Sequence, residues 1–201
     1  MSEPGPLLSA VRVERGNREL QDRAAVFVAR FELVCLVADG VGGRAGGAEA
    51  ATALLEAVAR EPETLLPVPF LQDMDGALCG VGETTAVLAR VSADRITGGV
   101  VGDSGAWLVG QGKHKVLSTV SKPYLGSGAA FPRPFRGSWE LPTLLLASDG
   151  LLRYTDPARI VKACSASDLE EACDALLQLV RLPLSGEYPD DVSIVLVRRA
   201  T

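Results

Sequence analysis

The spacing of apolar and polar positions changes several times along the chain, and each change marks an element. From Val26 to Ala38 the residues are largely apolar and β-favouring, and Phe31–Ala38 (FELVCLVA) is nearly continuous, which reads as a buried strand. It stops at Asp39-Gly40-Val41-Gly42-Gly43, a turn by composition. After Gly47, AEAATALLEAVAR is rich in Ala, Leu and Glu and predicts a helix ending before Pro62. A shorter helix is expected over Phe70–Cys79. Thr84–Val91, Arg95–Gly102 and Gly105–Val109 read as short strands in antiparallel hairpins, because Asp, Gly and Ser separate them.

Residues 118–139 carry much Pro and Gly and little periodicity, so they read mostly as loop. Thr143–Ala147 (TLLLA) is another buried strand, stopping at Ser148-Asp149-Gly150. Asp156-Pro157 has the form of a helix N-cap followed by a first-turn proline. Ser167-Asp168-Leu169-Glu170 matches a capping box for a second helix running to Arg181. Val192–Arg198 is the last predicted strand. Strands come early and late, with helices in two blocks, which predicts a layered α+β domain rather than a doubly wound parallel one. Residues 1–10, holding Pro4, Gly5 and Pro6, read as a loose N-terminal arm ahead of a single domain over 11–201.

Composition narrows the function. The chain has 201 residues, 47% hydrophobic and 22% charged, with a formal net charge of -5. That is a globular composition, and no dense Lys/Arg stripe exists to track a phosphate backbone, so nucleic acid is not an expected partner. The N-terminus MSEPGPLLSA lacks a signal-peptide pattern, and no apolar run approaches the roughly 20 residues that span a bilayer. Cys35, Cys79, Cys164 and Cys173 form no CxxC pair and read as buried free thiols. A cytoplasmic chain with no membrane partner is the expectation.

The informative feature is aspartate at the ends of apolar runs. CLVADG gives Asp39, LLLASDG gives Asp149, Asp190 and Asp191 precede VSIVLV, and GGVVGDSG gives Asp103. One Asp-Gly at a strand end is ordinary turn chemistry. Several such ends gathered together would repel and would need cations between them. Oxygen-only ligands select hard ions, Mg²⁺ or Mn²⁺, over zinc. The single histidine, His114, sits in polar GQGKHK and reads as a surface residue. No G-x-S-x-G elbow accompanies it, and no Lys-Ser/Thr follows the glycines at 42–47, so neither a serine triad nor a nucleotide P-loop is supported.

Six short motifs in order give a specific signal. QDR at Gln21–Arg23, ADGVGG at Ala38–Gly43, GETTAV at Gly82–Val87, VGDSGAW at Val101–Trp107, ASDGL at Ala147–Leu151 and DDVSIVLV at Asp190–Val197 resemble the metal-dependent serine/threonine protein phosphatases, type 2C. The resemblance implies a sandwich of two antiparallel β-sheets flanked by α-helices, with metals at one end. It implies hydrolysis of phosphoserine and phosphothreonine by a metal-activated water, with two Mn²⁺ or Mg²⁺ ions and room for a third. Carried over, Asp39 bridges the ions, Gly40 offers its carbonyl, and Asp149 and Asp190 complete the first ion's shell. Asp103, with Asp149, matches the third-ion position, and Asp22 plays a supporting role behind the metals.

The chain also departs from the family pattern. Gln21 stands where many members have Glu, and Gly105 replaces the arginine usual after GDS. The family's phosphate-binding arginine falls on Asn17, leaving Arg18, and after it Arg15, as substitutes. The segment that forms the family's flap is largely missing, which predicts a more open site. The resemblance implies phosphoprotein substrates of a Ser/Thr kinase, acted on by a monomer. The second reading is a pseudophosphatase, a regulatory phosphoprotein-binding module that keeps the fold. A metal-dependent nuclease or small-molecule phosphohydrolase shares the carboxylates; the nuclease lacks the basic surface it would need, while small phosphoesters remain open as promiscuous substrates.

Overall fold

The computed structural model describes residues 6–16, 19–41 and 46–200. Ten strands form two wholly antiparallel five-stranded sheets. The first sheet runs β1 (Leu7–Glu14), β10 (Val192–Arg199), β9 (Thr143–Ala147), β6 (Gly105–Gly110), β7 (Lys113–Val116). The second runs β2 (Arg23–Ala29), β3 (Glu32–Ala38), β4 (Ala86–Val91), β5 (Ile96–Val101), β8 (Arg133–Gly137). The expected α+β sandwich flanked by helices is the observed architecture.

The near-continuous apolar runs have a direct cause: the central strands are buried on both faces. Along β3, Leu33, Cys35 and Val37 point between the sheets, where they meet Leu108, Leu144, Leu146, Val195 and Val197 of the first sheet. Val34, Leu36 and Ala38 point the other way, onto Ala50, Ala51, Leu54 and Val58 of α1 (Gly47–Arg60) and Leu71 of α2 (Pro67–Ala77). The first sheet is covered likewise: Leu145, Ala147, Ile194 and Leu196 pack on α4 (Pro157–Ala163) and α5 (Leu169–Val180). A single turn, α3 (Asp149–Leu152), follows β9. The layers are therefore helix, sheet, sheet, helix.

Three expectations are corrected. Residues 7–10 are not a loose arm; they open β1, which pairs antiparallel with β10 from Leu7↔Arg199 to Glu14↔Val192. β1 is an edge strand whose side chains are mostly half-buried, so its apolar pattern is weak. The loop at 118–139 contains β8, and β7 precedes it. β7 is exposed throughout and is made by a two-residue turn at Gln111-Gly112, both at positive φ (53° and 74°), rather than by hydrophobicity. β8 is an edge strand that tolerates Pro134 and buries Phe135 alone. The cap of α5 is Asp168, whose carboxylate accepts the Glu170 and Glu171 N–H groups, not Ser167. The Asp156 cap stands as expected, accepting from Ala158 N.

Cys35, Cys164 and Cys173 are buried free thiols, each pushed up to about 12 chiefly by burial, whereas Cys79 is exposed. His114 stacks on Trp107 at 4.7 Å between ring centroids. No helix among the described residues is long and apolar enough to cross a membrane.

Leu146 is fully buried between the sheets. Leu146→Ala is expected to lower stability by about 2–5 kcal/mol. The same truncation at Leu184, which is fully exposed, should change it by less than about 0.5 kcal/mol. Urea denaturation of the two variants beside the parent checks this; equal losses would contradict the layered core.

Candidate metal centre

Strand pairing brings the aspartates to one end of the sandwich. Asp39 leaves β3 directly after Ala38, which pairs with Arg23, so Asp22 at the start of β2 is its neighbour. Asp103 leaves β5 after Gly102. In the other sheet, Ala147 pairs with Ile194, which sets Asp149 beyond β9 close to Asp190 and Asp191 before β10. These ends enclose a cavity of about 400 Å³ lined by Asp39, Gly40, Asp103, Asp149, Asp190 and Asp191, with Gln21 and Thr85.

Backbone bonds fix the turn at Asp39. Its N–H donates to Thr85 Oγ1 at 3.1 Å, and its carbonyl accepts Thr85 N–H at 2.8 Å and Thr84 Oγ1 at 2.9 Å. Thr85 Oγ1 also bonds Ser104 Oγ at 2.7 Å, joining the Asp39 turn to the one carrying Asp103. On the opposite wall, Ser148 N–H donates to Ser193 O and Ser193 N–H to Ser148 Oγ, which locks the start of β10 to the Asp149 turn.

Asp191 organises the third wall. Its Oδ1 accepts Gly16 N–H at 2.7 Å, and its Oδ2 accepts Gln21 N–H at 2.6 Å and Asp22 N–H at 3.3 Å. The approach is too close for side chains: a Cβ on Gly16 would lie 2.5 Å from the Asp190 carbonyl carbon, and one on Gly150 would lie 1.9 Å from Asp191 O. At Gly105 a Cβ would lie 2.8 Å from Leu152 Cδ1, the far end of a flexible side chain.

The electrostatics report an unmet need for positive charge. Asp39 is pushed up to about 10, first by burial and then by the charges of Asp22 and Asp149, with Asp190 adding to them. Asp22, 1% exposed, is raised to about 6, again by burial first, with Asp191 adding to it. The Ser193 and Ser148 hydroxyls are near enough to pull Asp22 the other way. Yet both Asp22 oxygens and Ser193 Oγ lack a hydrogen-bond partner. Asp149 is raised by burial, then by Asp103 and Asp190, and Arg153 partly offsets this. Orphaned buried oxygens beside mutually repelling carboxylates, with no His or Cys lining the cavity, fit hard divalent cations. Among the described residues, no three acidic, His or Cys side chains already converge around one point, so the donors share a cavity rather than a preformed cage.

Of the predicted residues, the structure gathers Asp39, Gly40, Asp103, Asp149 and Asp190 around one cavity, with Asp22 buried behind Asp39. Arg18, Gly42 and Gly43 lie outside the described residues, and Arg15 is exposed and does not line the cavity. Sequence reasoning named Asp191 beside Asp190 without giving it a role, and did not single out Thr85, Ser148, Lys122 or Arg153. The paired threonines of GETTAV and the second Asp of Asp190-Asp191 were the available signals.

No protein-family model and no curated protein matches the sequence. Among solved structures, the chain superposes on serine/threonine phosphatase Stp1 from Staphylococcus aureus with a TM-score of 0.86 and 19% identity, covering 100% of this chain and 98% of that one. The catalytic domain of the phosphatase PstP, in complex with 2 manganese ions, gives 0.79 at 19% identity over 97% and 99%. RsbX in complex with magnesium gives 0.79 at 18% over 100% and 98%. The chain shares the fold of these proteins over essentially its full length.

The raised carboxyls carry a sign that can be tested. An acid whose folded pKa lies above its unfolded one, about 4, binds more protons when folded. Metal-free stability should therefore fall as pH rises from about 4 through the range toward about 10. Asp39→Asn is expected to remove part of that slope and raise the metal-free melting temperature near neutral pH by at least about 2 °C, a change worth roughly 1 kcal/mol. It should also lose most of the thermal shift that Mn²⁺ produces in the parent. Thermal unfolding in chelator and in Mn²⁺ across pH reads both, and a destabilised, metal-responsive variant would contradict the assignment.

Proposed function

We propose that this chain is a member of the metal-dependent, type 2C phosphatase family. It hydrolyses phosphoserine and phosphothreonine in proteins, acting as a monomer with two Mn²⁺ or Mg²⁺ ions held by Asp39, the Gly40 carbonyl, Asp149 and Asp190. The observation that carries this reading is the gathering of carboxylates from strand ends of both sheets around one cavity, with Asp39 half-buried in its wall and both oxygens of the buried Asp22 left without a hydrogen-bond partner. The shared fold with solved serine/threonine phosphatases supports the substrate class.

Bound ions would activate a water and neutralise phosphoryl oxygens, the two demands of phosphomonoester hydrolysis. The protein's own part is placement. Asp39, at the end of β3, would hold both ions, and Asp149 and Asp190 face it from the other sheet. Asp103 beside Asp149 suits a third, weaker ion. Asp22, buried behind Asp39, would support the ions from outside their ligand set. Thr84, Thr85 and Ser148 fix the turns that carry the ligands, so little reorganisation accompanies the chemistry.

The regulatory reading draws on one observation, that no three donors already converge among the described residues. It predicts weak or single-ion occupancy and no turnover. Hydrolysis of a phosphothreonine peptide with Mn²⁺, with Mg²⁺ and with chelator separates the two. Turnover should require added metal, and Asp149→Asn should lower it at least about a hundredfold, the loss expected when a ligand of a catalytic ion goes. A folded protein inactive under every metal would leave the regulatory module standing instead.

A further inference from the structure

The segment between β7 and β8 stands beside the acidic cavity, and none of the roles assigned so far uses it. Two antiparallel bridges clamp it. Ser121 and Gly102 exchange N–H···O bonds of 2.7 and 3.0 Å, and Leu125 and Thr84 exchange bonds of 3.1 Å each way. The first bridge abuts Asp103, and the second abuts the threonine that bonds the Asp39 carbonyl. The three residues between the clamps are Lys122, Pro123 and Tyr124, and Lys122 and Tyr124 line the cavity.

A second anchor holds the rest of the segment. Asp75 of α2, 6% exposed, accepts Gly126 N–H at 2.8 Å and Gly128 N–H at 3.2 Å on Oδ1, and Ala130 N–H at 2.9 Å on Oδ2. Ser121 Oγ donates to Phe131 O at 2.7 Å and closes the loop on itself. Three donors on one buried carboxylate resist lifting, because opening the loop would strand a buried charge.

Acidic side chains dominate the cavity wall, and among the described residues the lining cations are Lys122 and Arg153. Arg153 leans on Asp149 at 3.9 Å. Lys122 instead holds its ammonium 5.0 Å from the centre of the Tyr124 ring, within the field of Asp103. The cavity opens on this side into a shallow groove lined by Val41, Pro123, Tyr124 and Ser127, so Lys122 stands where cavity and groove meet.

A phosphoryl dianion entering this cavity meets carboxylates on nearly every side. Ions within the aspartate cluster would neutralise its inner oxygens, and its outward oxygens need a cation at the rim. We propose that Lys122, set in place by the Asp75-anchored loop, binds the phosphoryl group of the substrate. Among the described residues Arg15 does not line the cavity, and Arg18, the first substitute read from the sequence, lies outside them. A lysine suits the rim because its compact charge rides on a flexible stem and needs no bidentate geometry. The inference rests on the phosphatase reading, and its test is built so that the two can fail separately.

Inorganic phosphate and a phosphothreonine peptide serve as probes of the Mn²⁺-loaded protein. Lys122→Met is expected to weaken phosphate binding, measured by calorimetry, about tenfold, the effect of one charge-assisted contact. It should raise KM for the peptide by a similar factor and kcat by much less, while the Mn²⁺-induced thermal shift stays at the parent value. Lys122→Arg should recover most of the loss. Asp75→Asn should raise KM in the parent background but add nothing to Lys122→Met, whereas a merely structural effect would add in both. Parent-like phosphate affinity in Lys122→Met overturns the assignment, as does a parent that binds no phosphate. A parent that binds phosphate through Lys122 yet hydrolyses no peptide would sink the enzyme reading and leave the lysine's role intact.

Discussion

Aspartates pressed to one end of a sandwich repel one another, and each step out of water strengthens that repulsion. In this chain the sheets leave them no escape. Asp22 and Asp39 sit just beyond the terminal Arg23↔Ala38 pair of adjacent strands, and Asp149 and Asp190 are set by the β9–β10 register. The cores on both faces of each sheet hold those registers, so the hydrophobic effect offsets the electrostatic cost. Stability spent in this way is typical of a functional site. A divalent cation held among them would relieve the strain at its source, and would then couple metal, protonation and stability.

The loops around the cavity are held by one device used twice. Asp191 draws Gly16, Gln21 and Asp22 N–H groups onto its carboxylate. Asp75 does the same for Gly126, Gly128 and Ala130. Each gathers a glycine-bearing segment that no hydrophobic face would order, and each segment borders the cavity. Hydrogen bonds to an ionised carboxylate are stronger than neutral ones, so these N–H groups are firm anchor points. The second of these loops borders the cavity where it opens into the groove beside Pro123 and Tyr124.

Much of this was legible in the residues. Central strands buried on both faces must be continuously apolar, so β3, β9 and β10 declared themselves within a residue or so. Helix caps and the Gly and Asp turns are likewise local chemistry. What escaped was made by pairing rather than by pattern. β1 and β8 are edge strands with little to bury, and β7 is exposed along its length and exists because a tight turn returns it onto β6. The cap of α5 passed from Ser167 to Asp168 because either residue type can accept the first-turn N–H groups, and the helix register decides which is in reach.

The same division runs through the site. That Asp39, Asp103, Asp149 and Asp190 stand at strand ends was settled by the sequence alone, because a run of apolar residues halting at Asp-Gly or Asp-Ser can hardly do otherwise. Their all-oxygen chemistry was also settled there, with one histidine and no paired cysteines in the chain. Only the tertiary structure decided that these ends meet, that Asp191 accepts the Gly16, Gln21 and Asp22 N–H groups, and that Lys122 stands beside them. Those facts depend on strand order across two sheets and on contacts between residues more than a hundred positions apart. Local sequence carries no record of which distant strand it will lie against.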